Sequence, residues 1–283
     1  MSVSLSILLT VNKWFKLPVH PFNLSNEGGM SYAEWQYDKG AQTIGFYLKH
    51  NTADEMFKDK SVLDIGCGAA GKSIYYASLG ARRVVGLDVI ERYREEAMEL
   101  ARRKGFEDRF EFVCADAART GFESGIFDTV IMNDAAEHVA KPETVLRECL
   151  RLLSPGGRLY LNFPPYYHPY GAHLSDAVAI PWVHVLFSEK TLIAAYKRLV
   201  AGLPDAEQRI ALRVSTRPGG GEYLSYINRM TIRRFDKILR DLPAERAYYS
   251  EEPLRGFLRP LARLPFLREF FVKMVVTVLT PQT

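Results

Sequence analysis

The sequence predicts an α/β protein whose core is a doubly wound, mostly parallel sheet of seven strands. Short apolar runs alternate with helical segments between residues 61 and 163, and this βαβ alternation is typical of parallel strands with right-handed crossovers. A glycine-rich turn directly follows the first run. The alternation stops after residue 163 and regular patterning returns near residue 229, which indicates an insertion between two parts of one sheet.

Each predicted strand is a short apolar run bounded by turn-forming or charged residues. The first five are Ser61–Ile65, Arg83–Leu87, Phe110–Ala115, Thr129–Met132 and Arg158–Phe163. Helical spacing predicts helices over Lys72–Leu79, Glu91–Lys104, Thr144–Leu153, Leu192–Leu203 and Thr231–Leu242. A sixth strand is expected at Ala247–Ser250 and a seventh at Phe271–Leu279, where β-branched residues favour a strand over a membrane-lying helix.

Composition excludes several classes of protein. A net charge of +4 on 283 residues is low for a nucleic-acid binder, which usually concentrates positive charge on one face. The three cysteines, at positions 67, 114 and 149, form no CxxC pair, which argues against a disulfide framework or zinc knuckle and favours the cytoplasm. The apolar stretch Val3–Val11 is too short to span a bilayer and lacks the basic start of a signal peptide, so we expect no transmembrane segment.

The turn Gly66–Gly71 has the pattern GxGxxG between a predicted strand and a predicted helix. Glycines there allow the backbone to approach a ligand closely at a helix N-terminus. Asp88 ends the next strand, where a carboxylate can accept hydrogen bonds from both hydroxyls of a ribose. On these residues alone, a nicotinamide dinucleotide fits as well as any other adenosine-containing ligand.

Further polar groups follow the same edge of the predicted sheet. Asp64, in the first strand, would repel a pyrophosphate but suits a cationic ligand. Asp116 follows the third strand, where an adenine can be bound, and the turn Ser154–Gly157 precedes the fifth. These three features favour a cationic adenosyl ligand over a dinucleotide.

In order and spacing, the segment Val62–Gly68, Asp88, Asp116 and the Ser-Pro-Gly-Gly turn resemble the motifs of the class I S-adenosylmethionine-dependent methyltransferases. The resemblance covers about residues 55 to 163 and, more faintly, 229 to 283. It implies a Rossmann-like sheet with its last strand antiparallel beside the fifth, and S-adenosylmethionine as cofactor. It also implies that Gly66 and Gly68 pack against the methionine part, that Asp88 holds the ribose and that Asp116 holds the adenine amino group. The predicted cofactor-binding residues are Asp64, Gly66, Cys67, Gly68, Asp88, Val89, Asp116, Ala117 and Asn133.

The chemistry is expected in Asn133–His138, just after the fourth strand. Asp134, Glu137 and His138 would share one face of a helical turn, and two carboxylates with an imidazole can bind a divalent cation such as Mg²⁺ or Zn²⁺. The segment resembles ubiquinone-pathway O-methyltransferases, in which an acid-x-x-Glu-His stretch holds a metal, although Asp134 stands where those enzymes commonly have Glu. Two other interpretations stay open: His138 acts as a metal-free general base, or Glu137 and His138 only orient the helix start.

The expected organisation is an N-terminal cap without regular structure, a cofactor-binding core, an inserted substrate lid and a completion of the core, at residues 1–45, 46–163, 164–228 and 229–283. The lid carries tyrosines with His168 and His173, which we count as candidate catalytic residues; aromatic groups there suit a flat or apolar acceptor. Arg255, Arg259, Arg263 and Arg268 punctuate an apolar stretch and suit a phosphate, an anionic membrane surface or a solvated edge, so peripheral membrane contact stays open.

The sequence therefore predicts methyl transfer to a small molecule, most simply to a hydroxyl oxygen. C-methylation of a prenyl or aromatic carbon and methylation of a sugar remain alternatives within the same class. An NAD(P)-dependent oxidoreductase and a non-catalytic S-adenosylmethionine-binding protein are alternatives of other classes. The acceptor and the oligomeric state are not predicted.

Overall fold

The computed structural model describes residues 2–282, which form two compact units. The sheet unit comprises residues 30–163, 233–252 and 274–282. The helical unit comprises residues 2–29, 164–232 and 253–273. The chain therefore alternates between the two units several times.

Nine strands and thirteen α-helices lie within residues 2–282. The strands are β1 Ser61–Ile65, β2 Arg83–Asp88, β3 Phe110–Cys114, β4 Phe127–Asn133, β5 Leu153–Phe163, β6 Val214–Thr216, β7 Glu222–Leu224, β8 Ala244–Pro253 and β9 Val272–Pro281. The helices are α1 Val3–Asn12, α2 Pro21–Asn26, α3 Tyr32–Ile44, α4 Ala53–Phe57, α5 Gly71–Ser78, α6 Tyr93–Lys104, α7 Pro142–Leu152, α8 Val183–Leu186, α9 Glu189–Val200, α10 Ala206–Arg213, α11 Ile232–Arg240, α12 Arg259–Ala262 and α13 Arg268–Phe271. A 3-10 turn, Gly256–Leu258, precedes α12.

The main sheet has seven strands in the order β3-β2-β1-β4-β5-β9-β8. The pairs from β3 to β5 are parallel, whereas β9 runs antiparallel to β5, with Leu159 opposite Leu279 and Phe163 opposite Val275. The predicted fold class is thus confirmed, including the antiparallel position of the last strand. The strand order reverses at β1, so the carboxyl ends of β1, β2 and β4 meet where an α/β sheet binds its ligand.

The core of the sheet unit follows from the apolar runs of the sequence. Every residue of β1 is buried, as expected for a central parallel strand that other elements cover on both faces. Val62, Val84 and Ile131 belong to one continuous cluster with Phe57 and Tyr76. This packing holds the carboxyl ends of the strands in a fixed register.

The expectation that residues 1–45 lack regular structure is wrong. Three helices form there, and α3 starts with a capping box in which Ser31 and Glu34 exchange hydrogen bonds between side chain and backbone. The division into units also differs from the expected boundaries, because α3 belongs to the sheet unit and residues 253–273 belong to the helical unit. The reason for the first difference is packing: α3 lies against α5, and a Cβ on Gly40 would come 2.4 Å from the Tyr75 ring.

The helical unit contains the predicted helices of residues 164–228, at α8, α9 and α10, and a short hairpin of β6 and β7. Its centre carries buried charge. The two oxygens of Asp176 lie 3.1 Å from Arg209 Nη1 and 3.1 Å from Arg213 Nη2, and the Tyr196 hydroxyl donates to the same carboxylate over 2.8 Å. Paired buried charges of this kind define one arrangement of the surrounding helices, since breaking the pair leaves an uncompensated charge. None of the described helices combines the length and the hydropathy that crossing a bilayer requires.

Candidate functional site

The glycine turn after β1 is folded tightly against the end of β2. The amides of Gly66 and Cys67 both donate to the carbonyl oxygen of Leu87, over 2.8 and 3.1 Å. Gly66 has φ +71°, and a Cβ there would come 2.7 Å from the Cβ of Ala135. A side chain at position 66 would therefore be strained and would clash, which explains the glycine.

The carboxylate of Asp88 is hydrogen-bonded to this turn. Its Oδ2 accepts a hydrogen bond from the amide of Gly68 over 2.8 Å, and its Oδ1 accepts one from Ile90 over 2.9 Å. Burial raises the pKa of Asp88, and the backbone hydrogen bonds only partly offset this. The carboxylate is thus held in one orientation at the carboxyl end of β2, with lone pairs left to accept further hydrogen bonds.

A side chain of α3 also fixes the turn, and no pattern in the sequence predicts this contact. Gln36 Nε2 donates to the carbonyl oxygen of Cys67 over 3.1 Å, and its Oε1 accepts from the amide of Gly71 over 3.2 Å. The close approach depends on Gly71, whose Cβ would lie 1.9 Å from the carbonyl oxygen of Ala33. A bridging amide and a small residue are not distinctive in a sequence, so only the structure identifies this contact.

Two predicted cofactor residues lie inside the sheet unit. Asp64 is buried and accepts a hydrogen bond from Ser73 Oγ over 2.6 Å; burial raises the pKa of its carboxyl to about 6. The Cys67 thiol is also buried, which raises its pKa well above the usual value. Asp64 therefore joins β1 to α5, and neither side chain is exposed on the glycine turn.

Three further predicted cofactor-binding residues, Val89, Asp116 and Ala117, lie beside the ends of β2 and β3. Val89 is exposed, Ala117 is buried and Asp116 is exposed. Asp116 Oδ1 accepts from the amide of Ala118 over 2.8 Å, which orients the carboxylate. This edge thus offers an apolar contact and a carboxylate, the two features by which an adenine and its amino group can be bound.

Asn133 is part of a buried polar network instead of an exposed binding surface. Its Oδ1 accepts from the Tyr47 hydroxyl over 2.5 Å and from Asn162 Nδ2 over 2.6 Å. Its Nδ2 donates to the Tyr76 hydroxyl over 3.0 Å. All four side chains are buried, so the network joins the turn after α3 and helix α5 with β4 and β5.

The predicted helical turn over Asp134–His138 is wrong. Asp134 has φ +51°, the left-handed region, and only a turn follows it before α7 begins at Pro142. The three side chains do not share a helix face: Asp134 is exposed and binds Lys72 Nζ over 2.9 Å, while Glu137 is buried. Short polar residues such as Asp tolerate the left-handed conformation, and a right-handed helical turn cannot include a residue in that conformation.

Lys72 is a residue that the sequence did not single out. Its ammonium is mostly buried, with 12% of the side chain exposed. Burial lowers the pKa of Lys72, but Asp134 and Asp64 outweigh this and leave it above the usual value. Lys72 therefore places a positive charge beside the first of the three predicted metal ligands.

Glu137 and His138 form a second pair. Glu137 Oε1 lies 3.7 Å from His138 Nε2. Burial, and then Asp134, raise the pKa of Glu137 well above its usual value, so the neutral carboxyl is favoured. Metal binding requires the ionised carboxylate, and the Lys72 ammonium already pairs with Asp134. A divalent cation on Asp134, Glu137 and His138 stays a prediction.

The two other candidate catalytic histidines belong to the helical unit. His168 Nδ1 accepts from the amide of Tyr170 over 3.2 Å, and burial, with Lys273 next, lowers the pKa of His168 to about 4. His173 has φ +52°, and its carbonyl oxygen accepts from Arg213 Nε over 3.0 Å. A catalytic role for either histidine stays a prediction.

Comparison with known proteins identifies the domain that these residues form. The model of a family described as "Methyltransferase domain" matches residues 63–161, which contain the glycine turn, Asp88, Asp116 and Asp134–His138. Residues 63–161, which contain the candidate site, are therefore similar to a methyltransferase domain.

Curated relatives match the same part of the chain. Tocopherol O-methyltransferase of Arabidopsis thaliana is 32% identical over 108 residues, 38% of this chain and 31% of that protein. Norajmaline N-methyltransferase of Rauvolfia serpentina is 30% identical over 108 residues, 38% of this chain and 37% of that protein. Sterol 24-C-methyltransferase ERG6B of Gibberella zeae is 31% identical over 127 residues, 45% of this chain and 33% of that protein. The chain spans about a third of the length of these relatives, and their names include transfer to oxygen, nitrogen and carbon.

Solved structures extend the likeness of fold beyond the matched segment. A putative S-adenosylmethionine-dependent methyltransferase from Listeria monocytogenes aligns with TM-score 0.54 and 18% identity, over 87% of this chain and 99% of that one. The [4+2]-cyclase SpnF aligns with TM-score 0.56 and 15% identity, over 97% of each chain. At this identity the likeness concerns the fold alone.

Proposed function

We propose that the protein transfers the methyl group of S-adenosylmethionine to a small molecule that contains an apolar ring, at a hydroxyl oxygen. The observation that carries the proposal is the carboxylate of Asp88, which Gly68 and Ile90 hold in place at the end of β2. The methyltransferase family match over the same residues supports it.

Binding follows from the groups along the carboxyl edge of the sheet. Asp88 accepts hydrogen bonds from the ribose hydroxyls, and the backbone of the turn that contains Gly66 and Gly68 contacts the methionine part. Val89 and Ala117 contact the adenine, and Asp116 accepts a hydrogen bond from its amino group. Asp64 acts indirectly, because it fixes α5 through Ser73.

S-adenosylmethionine supplies a methyl group that is already activated by the sulfonium. The residues need only orient the acceptor, exclude water and take one proton. We assign the proton to the imidazole of His138. His138 Nε2 lies 3.7 Å from Glu137 Oε1, so Glu137 is placed to orient the imidazole.

The proposed reaction is independent of a metal. The charge of Lys72, 2.9 Å from Asp134, opposes a divalent cation there. We expect full activity in EDTA. A loss of activity in EDTA that Mg²⁺ or Zn²⁺ restores would contradict this part of the proposal and return Asp134, Glu137 and His138 to the role of ligands.

The acceptor class is inferred from the relatives. Their names give tocopherol, a sterol and norajmaline as the compounds concerned, and each contains fused rings. A prenylated phenol is the best first acceptor, because its phenolic proton lies within reach of an imidazole base. A sterol, an indole alkaloid and a free sugar test the alternatives of carbon, nitrogen and sugar methylation.

The experiment is incubation of the purified chain with methyl-labelled S-adenosylmethionine and each acceptor, followed by mass spectrometry of the product. We expect a labelled methyl ether of the phenol, with kcat reduced about 100-fold or more in His138→Ala. His50→Ala is the matched control, since His50 is exposed and lies outside the site. Label on a carbon or nitrogen, or equal rates in both variants, would contradict O-methylation with His138 as base.

A further inference from the structure

Residues 254–268 of the helical unit form a basic–aromatic segment, which has no role in the proposed methyl transfer. It contains four arginines and seven large apolar residues but no Asp or Glu. Phe257 is 79% and Phe266 85% exposed, and Leu264 is half exposed. Exposed apolar side chains that lie close together mark an interaction surface more often than single exposed apolar side chains do.

The backbone of this segment is ordered by local hydrogen bonds. Leu254 donates its amide to the carbonyl oxygen of Phe271, and the 3-10 turn leads directly into α12. Ala262 is buried, whereas Phe257, Leu264 and Phe266 are exposed. Exposure of the phenylalanines is therefore a property of a folded segment.

Three of its arginines are exposed and lack counter-charges. Among the described residues 2–282, Arg255, Arg259 and Arg263 form no side-chain hydrogen bond or ion pair. Elsewhere on the surface arginines are commonly paired, as Arg83 is with Glu111 and Arg151 with Glu148. The positive charge of this segment is thus available to an external anion.

We propose that residues 254–268 bind the surface of an anionic phospholipid bilayer. The arginines meet lipid phosphates, while Phe257, Leu264 and Phe266 enter the boundary between headgroups and acyl chains. Charge complementarity favours this occupant. A second copy would set two uncompensated arginine clusters against each other, and a nucleic acid would leave the aliphatic Leu264 unused. The proposal does not depend on the methyltransferase activity.

The test is co-sedimentation of the full chain with vesicles of phosphatidylcholine alone and of phosphatidylcholine mixed with phosphatidylserine. We expect binding to the mixed vesicles only, weaker at high salt. The variant R255Q/R259Q/R263Q should bind on the order of 100-fold more weakly, since each arginine near an anionic surface contributes about fivefold. The variant F257S/F266S should lose on the order of 10-fold or more.

The control R82Q/R102Q/R240Q removes the same charge from exposed positions of the sheet unit and should bind as the unaltered protein does. Far-ultraviolet circular dichroism and thermal melting establish that each variant is folded. Equal loss in the control, equal binding to both vesicle types, or binding to duplex DNA without binding to vesicles would overturn the proposal. A fourth result would also overturn the proposal. In it, the protein fails to bind vesicles and forms, without lipid, a dimer that sedimentation detects and that F257S/F266S dissociates.

Discussion

The amide of Gly68 donates a hydrogen bond to Asp88 Oδ2 over 2.8 Å, and this bond joins the two most informative motifs of the sequence. The glycine turn and the acidic end of β2 lie 20 residues apart, yet they form one structure because β1 and β2 are parallel neighbours. In the proposed function, this bond orients the Asp88 carboxylate toward the ribose of the cofactor.

Asp88→Asn should weaken binding of S-adenosylmethionine by about 10- to 100-fold, because hydrogen bonds to a charged group contribute about 1.5–3 kcal/mol. The unliganded protein should also melt at a lower temperature, because Asn can accept from only one of the two backbone amides that Asp88 binds. Isothermal titration calorimetry measures the affinity, and Asp108→Asn, at an exposed position outside the site, is the control. Equal affinities in the two variants would remove Asp88 from the binding site.

Gly71→Ala tests the contact between α3 and the glycine turn. A Cβ would lie 1.9 Å from the carbonyl oxygen of Ala33 and 2.6 Å from the amide of Tyr37, and backbone atoms cannot move away without displacing α3. We expect a loss of about 1–3 kcal/mol in the free energy of unfolding, measured with urea. Gly202→Ala is the control. A Cβ on Gly202 would have no atom within 4 Å apart from those of its chain neighbours, so this variant should change stability little. If both variants were equally stable, α3 would not be packed as described.

Asp64→Asn tests the pKa of a buried carboxyl. Because burial raises the pKa of Asp64 to about 6, the native state binds a proton that the unfolded state has released above about pH 4. The stability of the unaltered protein therefore falls as the pH rises from about 4 to about 6, by up to about 3 kcal/mol from this group.

In Asp64→Asn that pH-dependent contribution is absent. The free energy of unfolding of the variant, relative to that of the unaltered protein, should therefore rise between about pH 4 and about pH 6 and stay at the higher value at pH 7. Urea unfolding of both proteins at a series of pH values measures the difference, and groups common to both cancel. A difference that is constant with pH, or that changes in the opposite direction, would show that Asp64 is ionised in the native state at low pH.

Tyr47→Phe tests the buried network behind the site. The Tyr47 hydroxyl donates to Asn133 and accepts from Asn162, and removing it leaves buried polar atoms with fewer partners. The cost should be about 1–3 kcal/mol in the free energy of unfolding. Tyr75→Phe is the control, because the Tyr75 ring packs edge-on against Tyr37 and its hydroxyl bonds to no other described residue. A Tyr47→Phe variant as stable as the control would argue against the network.

Much of the sheet could be predicted because its signal is local. The apolar runs at β1 and β4 are buried strands, and the valines of β9 form the antiparallel strand beside β5. The capping box at Ser31 and Glu34 is also a local signal: it marks the start of α3 in a segment whose aromatic composition predicts no helix.

The geometry of the site could be predicted only in part. Asp88 and the glycine turn follow from position, but the ion pair of Lys72 with Asp134 joins residues 62 positions apart. Whether Asp134 continues a helix depends on its φ of +51°, and its spacing to His138 carries no information about that angle. The role of Gln36 depends on the packing of α3, which is a tertiary contact.

The measurement that tests the central claim most directly is the melting temperature of the purified chain with S-adenosylmethionine, S-adenosylhomocysteine, NAD or NADP. A ligand at about 100 times its dissociation constant adds about 2.7 kcal/mol of stability, which raises the melting temperature by several degrees for a chain of this size. We predict that the two adenosyl ligands raise the melting temperature, that Asp88→Asn makes this increase smaller and that EDTA does not change it. An increase with NAD or NADP alone would contradict the account.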